Sequence, residues 1–235
     1  MSATDQNPPQ DRIIDSDDAG QSRQYIEEYL ATKQAELRAL DAGASPVDGA
    51  FIKLDIATAL VGIHRNDEAW EHARFAFDTF LDAGMWEQAV QCCDVLYQCS
   101  QGASLLALGM GVWLAVTFPI DPALTVNMLS YVVDETPGDA DGAAVAAVTA
   151  HYIADIRASG KQHESLTFLT RQQLTRVAEQ HAGVKDQESL DRWMQKLQLL
   201  EPDVFIPKLG LVIGAIVPHD QWWFDKDVIR EKIPD

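Results

Sequence analysis

Between Arg74 and Arg157 the chain has no lysine and no arginine, while ten aspartates and glutamates fall in the same stretch. Phosphate, nucleic acid and anionic headgroups are normally held by arginine and lysine, so no nucleic-acid partner is expected there. Cysteine is scarce too. Three in 235 residues, without the spacing of a disulfide framework, point to a reducing compartment and a cytoplasmic location. The opening residues have neither a basic nor an apolar region, so a secretory signal is expected to be absent. Residues 1–19 offer little to bury and read as a disordered acidic arm.

The motifs of common chemistries are missing as well. The sequence contains no Gly-x-x-x-x-Gly-Lys phosphate loop, no Gly-x-Ser-x-Gly and no His-Glu-x-x-His. Gly109-Met110-Gly111 lies inside an apolar helical pattern. The loop 135–142, with Asp134-Glu135 and Asp139-Asp141, lacks the ordered oxygens and closing glutamate of a calcium loop and reads as solvated. No catalytic residue, cofactor or metal site is expected, and the chain is not expected to be an enzyme.

Apolar residues at a period near 3.6 dominate, and strand alternation is scarce. Helices are predicted at 21–41, ended by Gly43 and Pro46, then at 49–63, 66–83, 86–100, 104–118, 122–134, 142–158, 162–182 and 186–200. Asn66-Asp67 is the expected N-cap of the third, and Gly84 its stop. Alanines on the 142–158 helix would let a neighbour approach closely. Residues 203–217 fit a helix with Pro207 in its first turn, or a buried strand pair; the length favours the helix. A loop and a short helix close the chain.

Residues 95–120 carry no charge and approach the length of a membrane span. Gln98, Gln101 and Gly102 interrupt them early, Pro119 ends them, and no basic flank orients them. A central helix packed on all sides is the better reading, and no membrane insertion is expected.

Such helices joined by short loops make an all-α, antiparallel helical-hairpin stack over 20–217, with an aromatic tail at 218–235. Residues 73–96 resemble a tetratricopeptide repeat. Phe80, Gly84, Trp86 and Ala89 fill its aromatic, glycine, aromatic and alanine places, and the resemblance implies a tetratricopeptide-like α-solenoid. It covers about one repeat. A second register on Ala57, Leu60 and Ala69 overlaps the first, with His64 and Asn66 in place of glycine and aromatic.

Cys92, Cys93 and Cys99 share one predicted helix, which cannot supply three converging thiolates, so core packing is expected over a metal or redox role. The six histidines are scattered, and His151 is expected to hydrogen-bond locally, with Asp155 one turn on, or to pack. Trp222, Trp223 and Phe224 are adjacent aromatics. They are the candidate partner anchor, or else a plug over the last apolar helix.

A formal charge of −18 favours a basic or apolar segment of another protein as partner, although a generally acidic proteome gives the same charge. The expected function is a protein-binding adaptor, assembly factor or chaperone. The alternative is an accessory subunit of a larger enzyme complex.

Overall fold

The computed structural model describes residues 16–41 and 43–233, and every regular element among them is helical. In chain order these are α1 (Ser16–Ala39), α2 (Pro46–Gly62), α3 (Asn66–Asp82), α4 (Trp86–Gln98), α5 (Ser104–Thr117) and α6 (Pro122–Glu135). They continue as α7 (Asp141–Arg157), α8 (Gly160–Ala182), α9 (Gln187–Lys196), α10 (Pro202–Ile216) and α11 (Lys226–Arg230), with a 3-10 turn at His219–Gln221. Residues 1–15 of the expected arm lie outside the described residues, but from Ser16 the chain is already helical. Pro46 does not merely end the first helix: it opens α2 at its first position, with the Ser45 hydroxyl accepting from the Val47 amide. Pro207 lies inside α10 rather than in its first turn.

The turns after α2 and α3 have one geometry. His64 and Gly84 take left-handed backbone, and the amides of Arg65 and Met85 bond back to the carbonyls of Leu60 and Phe80. Arg65 therefore passes directly from one helix end into the next, and no side chain caps α3. The expected cap does not form: Asp67 accepts from Gln101 at 2.6 Å instead, and the Asn66 Oδ1 is buried without a partner. Ser100 repeats the left-handed turn after α4, with a substitution in its bonding. The Ser104 hydroxyl accepts from the Gln101 amide and donates to the Leu96 carbonyl, standing in for the direct backbone bond.

Consecutive helices pack side by side from α1 to α8, forming a stack. The even helices also touch one another, α2 on α4, α4 on α6 and α6 on α8. On the odd-numbered side α10 packs against both α5 and α7. Two glycines of α5 set these distances. A Cβ on Gly109 would lie 2.4 Å from Val217, at the end of α10, and one on Gly111 would lie 2.6 Å from the Cβ of Cys93 on α4.

The uncharged segment 95–120 is interior over most of α5, although Leu105 is exposed. Ala107, Leu108, Met110, Leu114 and Ala115 of α5 are fully buried, and no described helix is long and apolar enough to cross a membrane. The alanines of α7 are buried against α6, α8 and α10, as their small size suggests. Among the residues of α1 from 20 onward only Leu30 is buried and Tyr25 is exposed, so the expected apolar face there is narrower than its composition.

Candidate functional site

Two surfaces distinguish themselves by their chemistry. The first is a groove between α2 and α4, lined by Leu54, Asp55, Thr58, Gln91, Asp94 and Gln98. Asp55 is paired with Lys33 of α1 at 3.1 Å. Asp94 has no cation within ion-pair distance among the described residues. It accepts from Gln98 Nε2 at 2.9 Å, and the Tyr131 hydroxyl, an acceptor from Asn127, lies near enough to favour its charged form. Burial pushes its carboxyl above the usual range, against the opposing effect of those neutral donors. Beside it the rings of Tyr97 and Tyr131 lie 4.5 Å apart, and Tyr97 donates to Glu135 at 2.6 Å. Burial, then the Glu135 carboxylate, raises the Tyr97 phenol well above its ordinary value. The arrangement is a half-buried negative charge held by neutral groups of α4 and α6.

The second surface is the C-terminal strap. Trp222, Trp223 and Phe224, the anchor candidates, are half-buried against the body of the chain. Trp223 meets Phe77 and Trp70 of α3 edge-on, at 5.6 and 6.1 Å. Trp222 and Phe224 lie 5.9 and 5.7 Å from Trp113 of α5. Cations follow the rings. Arg74 covers Trp223 at 4.3 Å, Arg230 lies 5.7 Å from Trp113, and Lys232 lies 5.6 Å from Trp86. In this structure the trio packs as a plug over α3 and α5, against residues far away in sequence.

The remaining candidates resolve into packing. No group of three or more metal-ligating side chains occurs among the described residues. Cys92 and Cys93 are buried on α4 and Cys99 is its C-cap. Burial raises all three thiols, Cys99 to about 11 and the other two further. We expect none of them to react with an aromatic disulfide reagent at pH 8 until denaturant is added; rapid labelling of the native chain would contradict this burial. A thiol whose folded pKa is raised stabilises the fold fully below its unfolded pKa. That stabilisation is lost as pH climbs from about 9.

His151 bonds to Thr170 of α8 at 2.9 Å, not to Asp155, whose partner is His163 at 3.0 Å. Because Thr170 donates its one proton to the Leu166 carbonyl, His151 Nδ1 is the donor. His181 accepts from the Trp193 indole and faces Asp141, joining α8 and α9 to the start of α7.

Sequence reasoning missed Asp94. Its only local signal was an acid in the middle of a helix without lysine or arginine, because its surroundings are assembled from α2, α4 and α6. Compared with protein-family models, with curated proteins and with solved structures, the chain matches none.

Proposed function

We propose that this chain is a non-enzymatic, cytoplasmic protein-binding adaptor or assembly factor, built as a tetratricopeptide-like α-solenoid. It holds a basic segment of a partner protein on the face formed by α2, α4 and α6. The observation that carries this reading is Asp94, a half-buried carboxylate opening on a groove and, among the described residues, facing no cation. Desolvating a charge without an opposite charge is unfavourable, and a partner lysine or arginine would relieve it. No lysine or arginine occurs from 75 to 156, so α4, α5 and α6 carry no such cation of their own to compete for the carboxylate. The repeated left-handed turns at His64 and Gly84 support the solenoid reading. The even helices begin at Pro46, Trp86, Pro122 and Gly160, a spacing of about 36 to 40 residues against the 34 of tetratricopeptide repeats.

Asp94→Asn tests the reading because it keeps the shape and the acceptor while removing the charge. Its folded pKa is raised, so ionised Asp94 works against the fold at neutral pH. The substitution is expected to raise the unfolding midpoint at pH 7 and to weaken partner capture, a stability gain at the cost of function. Capture by the native chain should also fall with added salt. A partner retained equally by both proteins and at high salt would refute the groove.

A second reading, an accessory subunit of a larger complex, is favoured by the outer face of α10. Leu211 is 76% exposed there, Val204 is exposed too, and no acid occurs between Asp203 and Asp220. Stoichiometric co-purification would support the subunit, and transient capture of immature client the assembly factor.

A further inference from the structure

The strap fills the aromatic cleft by unusual means. Among the described residues, every hydrogen bond and ion pair made by residues 218–233 stays inside that segment. The backbone bonds from Gln221, Ile229, Glu231, Lys232 and Ile233 all return to the segment, and Arg230 pairs with Asp227. The strap is thus attached to the body by rings, by cations over rings and by the buried side chain of Ile229. One indole N–H, that of Trp222, is buried in the contact without an acceptor. A segment fixed by native folding alone would ordinarily satisfy such a donor. A segment with no polar tie to its dock belongs to the low-stability end of a fold, where local opening precedes global unfolding.

The strap shows which side chains the cleft accepts, adjacent aromatics with cations after them, although its four acids, Asp220, Asp225, Asp227 and Glu231, outnumber its three cations. It sets adjacent aromatics before Lys226, Arg230 and Lys232, and it brings cations to a stretch of the chain that has none.

We propose that the cleft formed by Trp70, Phe77 and Trp113 is a recognition site for a protein segment of adjacent aromatics followed by cations, and that residues 218–233 occupy it in cis as a displaceable pseudoligand. The proposal rests on the reading of the chain as a partner-binding protein, but at a different place from the Asp94 groove. Pro218, just beyond the buried Val217, is where the strap leaves α10, so it can lift without disturbing that helix. A tethered segment competes at an effective concentration on the order of millimolar, so a free segment at micromolar concentration meets a closed cleft.

The test uses a fluorescently labelled peptide of residues 219–233 and the full-length chain. Two variants weaken cis docking differently: Trp222→Ala with Trp223→Ala and Phe224→Ala empties the cleft, and Lys226→Glu with Arg230→Glu and Lys232→Glu changes only exposed or half-buried cations. Either variant, with native helical circular dichroism, is expected to bind the peptide at least about tenfold more tightly than the unaltered chain. Adding Trp113→Ala should abolish the gain, and adding Asp94→Asn should leave it unchanged. Peptide binding no tighter to either folded variant than to the unaltered chain overturns the proposal. So does a gain that survives Trp113→Ala. Failure of the Asp94 reading, by contrast, would appear in partner capture and in the stability of Asp94→Asn, and not in peptide binding.

Discussion

Replacing Gly111 with valine is expected to lower the unfolding free energy by about 3 kcal/mol, read as a fall in the urea midpoint at unchanged slope. Gly111 faces the seam of α4, α5 and α6. A Cβ there would stand 2.5 Å from Met128 Cε and 2.6 Å from Cys93 Cβ. The methionine end can swing aside, but the Cys93 Cβ is attached to the α4 backbone, so the helix itself must move. Valine adds two further methyl groups to that collision, which outweighs its better helix propensity.

Gly210 provides the matched control. It lies on the exposed face of α10 with nothing within 4 Å of a Cβ. Gly210→Ala should therefore stabilise the chain by about 0.5–1 kcal/mol through propensity and the unfolded state alone. Two helical glycines thus respond with opposite signs. A Gly111→Val protein as stable as the parent would show that the three helices do not approach as closely as the backbone places them.

Glycines also show what was legible in the sequence. A period near 3.6 and the turn residues placed the helices, because both signals are local and recur within a few residues. Gly84 announced its left-handed turn. His64 and Ser100 did not, since a non-glycine residue carries no signal for that conformation until the flanking helices impose it. Gly109 and Gly111 were readable as helical, but their reason, the approach of Val217 and Cys93, is tertiary. The start of α3 fell where expected, but its cap did not, since Arg65 passes straight from one helix end into the next, and a boundary was missed where a proline could end one helix or begin another, as at Pro46.

The candidate surfaces were less legible than the fold for the same reason. Trp222, Trp223 and Phe224 stood out by composition, but their docking against Trp70 and Trp113 spans more than a hundred residues of chain. No periodicity encodes such a pairing. Asp94 became distinctive only when Tyr131 and Gln98 were found beside it and no cation was.

The missing cations have one structural consequence that a substitution can measure. Helix α5 ends without a basic residue in its last turn, although its terminal carbonyls carry the negative end of the helix dipole. Arg157, the first cation after the empty stretch, supplies what is missing from the end of α7. Its Nη1 donates to the Ala115 carbonyl and its Nη2 to the Val116 carbonyl, each at 2.8 Å. Burial lowers its pKa, yet an arginine remains charged throughout the neutral range. Arg157→Met keeps the apolar stem but leaves both carbonyls half-buried and unpaired, and we expect it to cost about 2–4 kcal/mol. Arg157→Lys should recover only part of the loss, because a single ammonium lacks the planar fork that meets two carbonyls at once. Since α5 also carries Gly109 and Trp113, loosening its end should free the strap, seen as a red shift of tryptophan emission before global unfolding. An Arg157→Met chain with parental stability would mean that those carbonyls are satisfied by water, and that α5 does not depend on α7 for its cap.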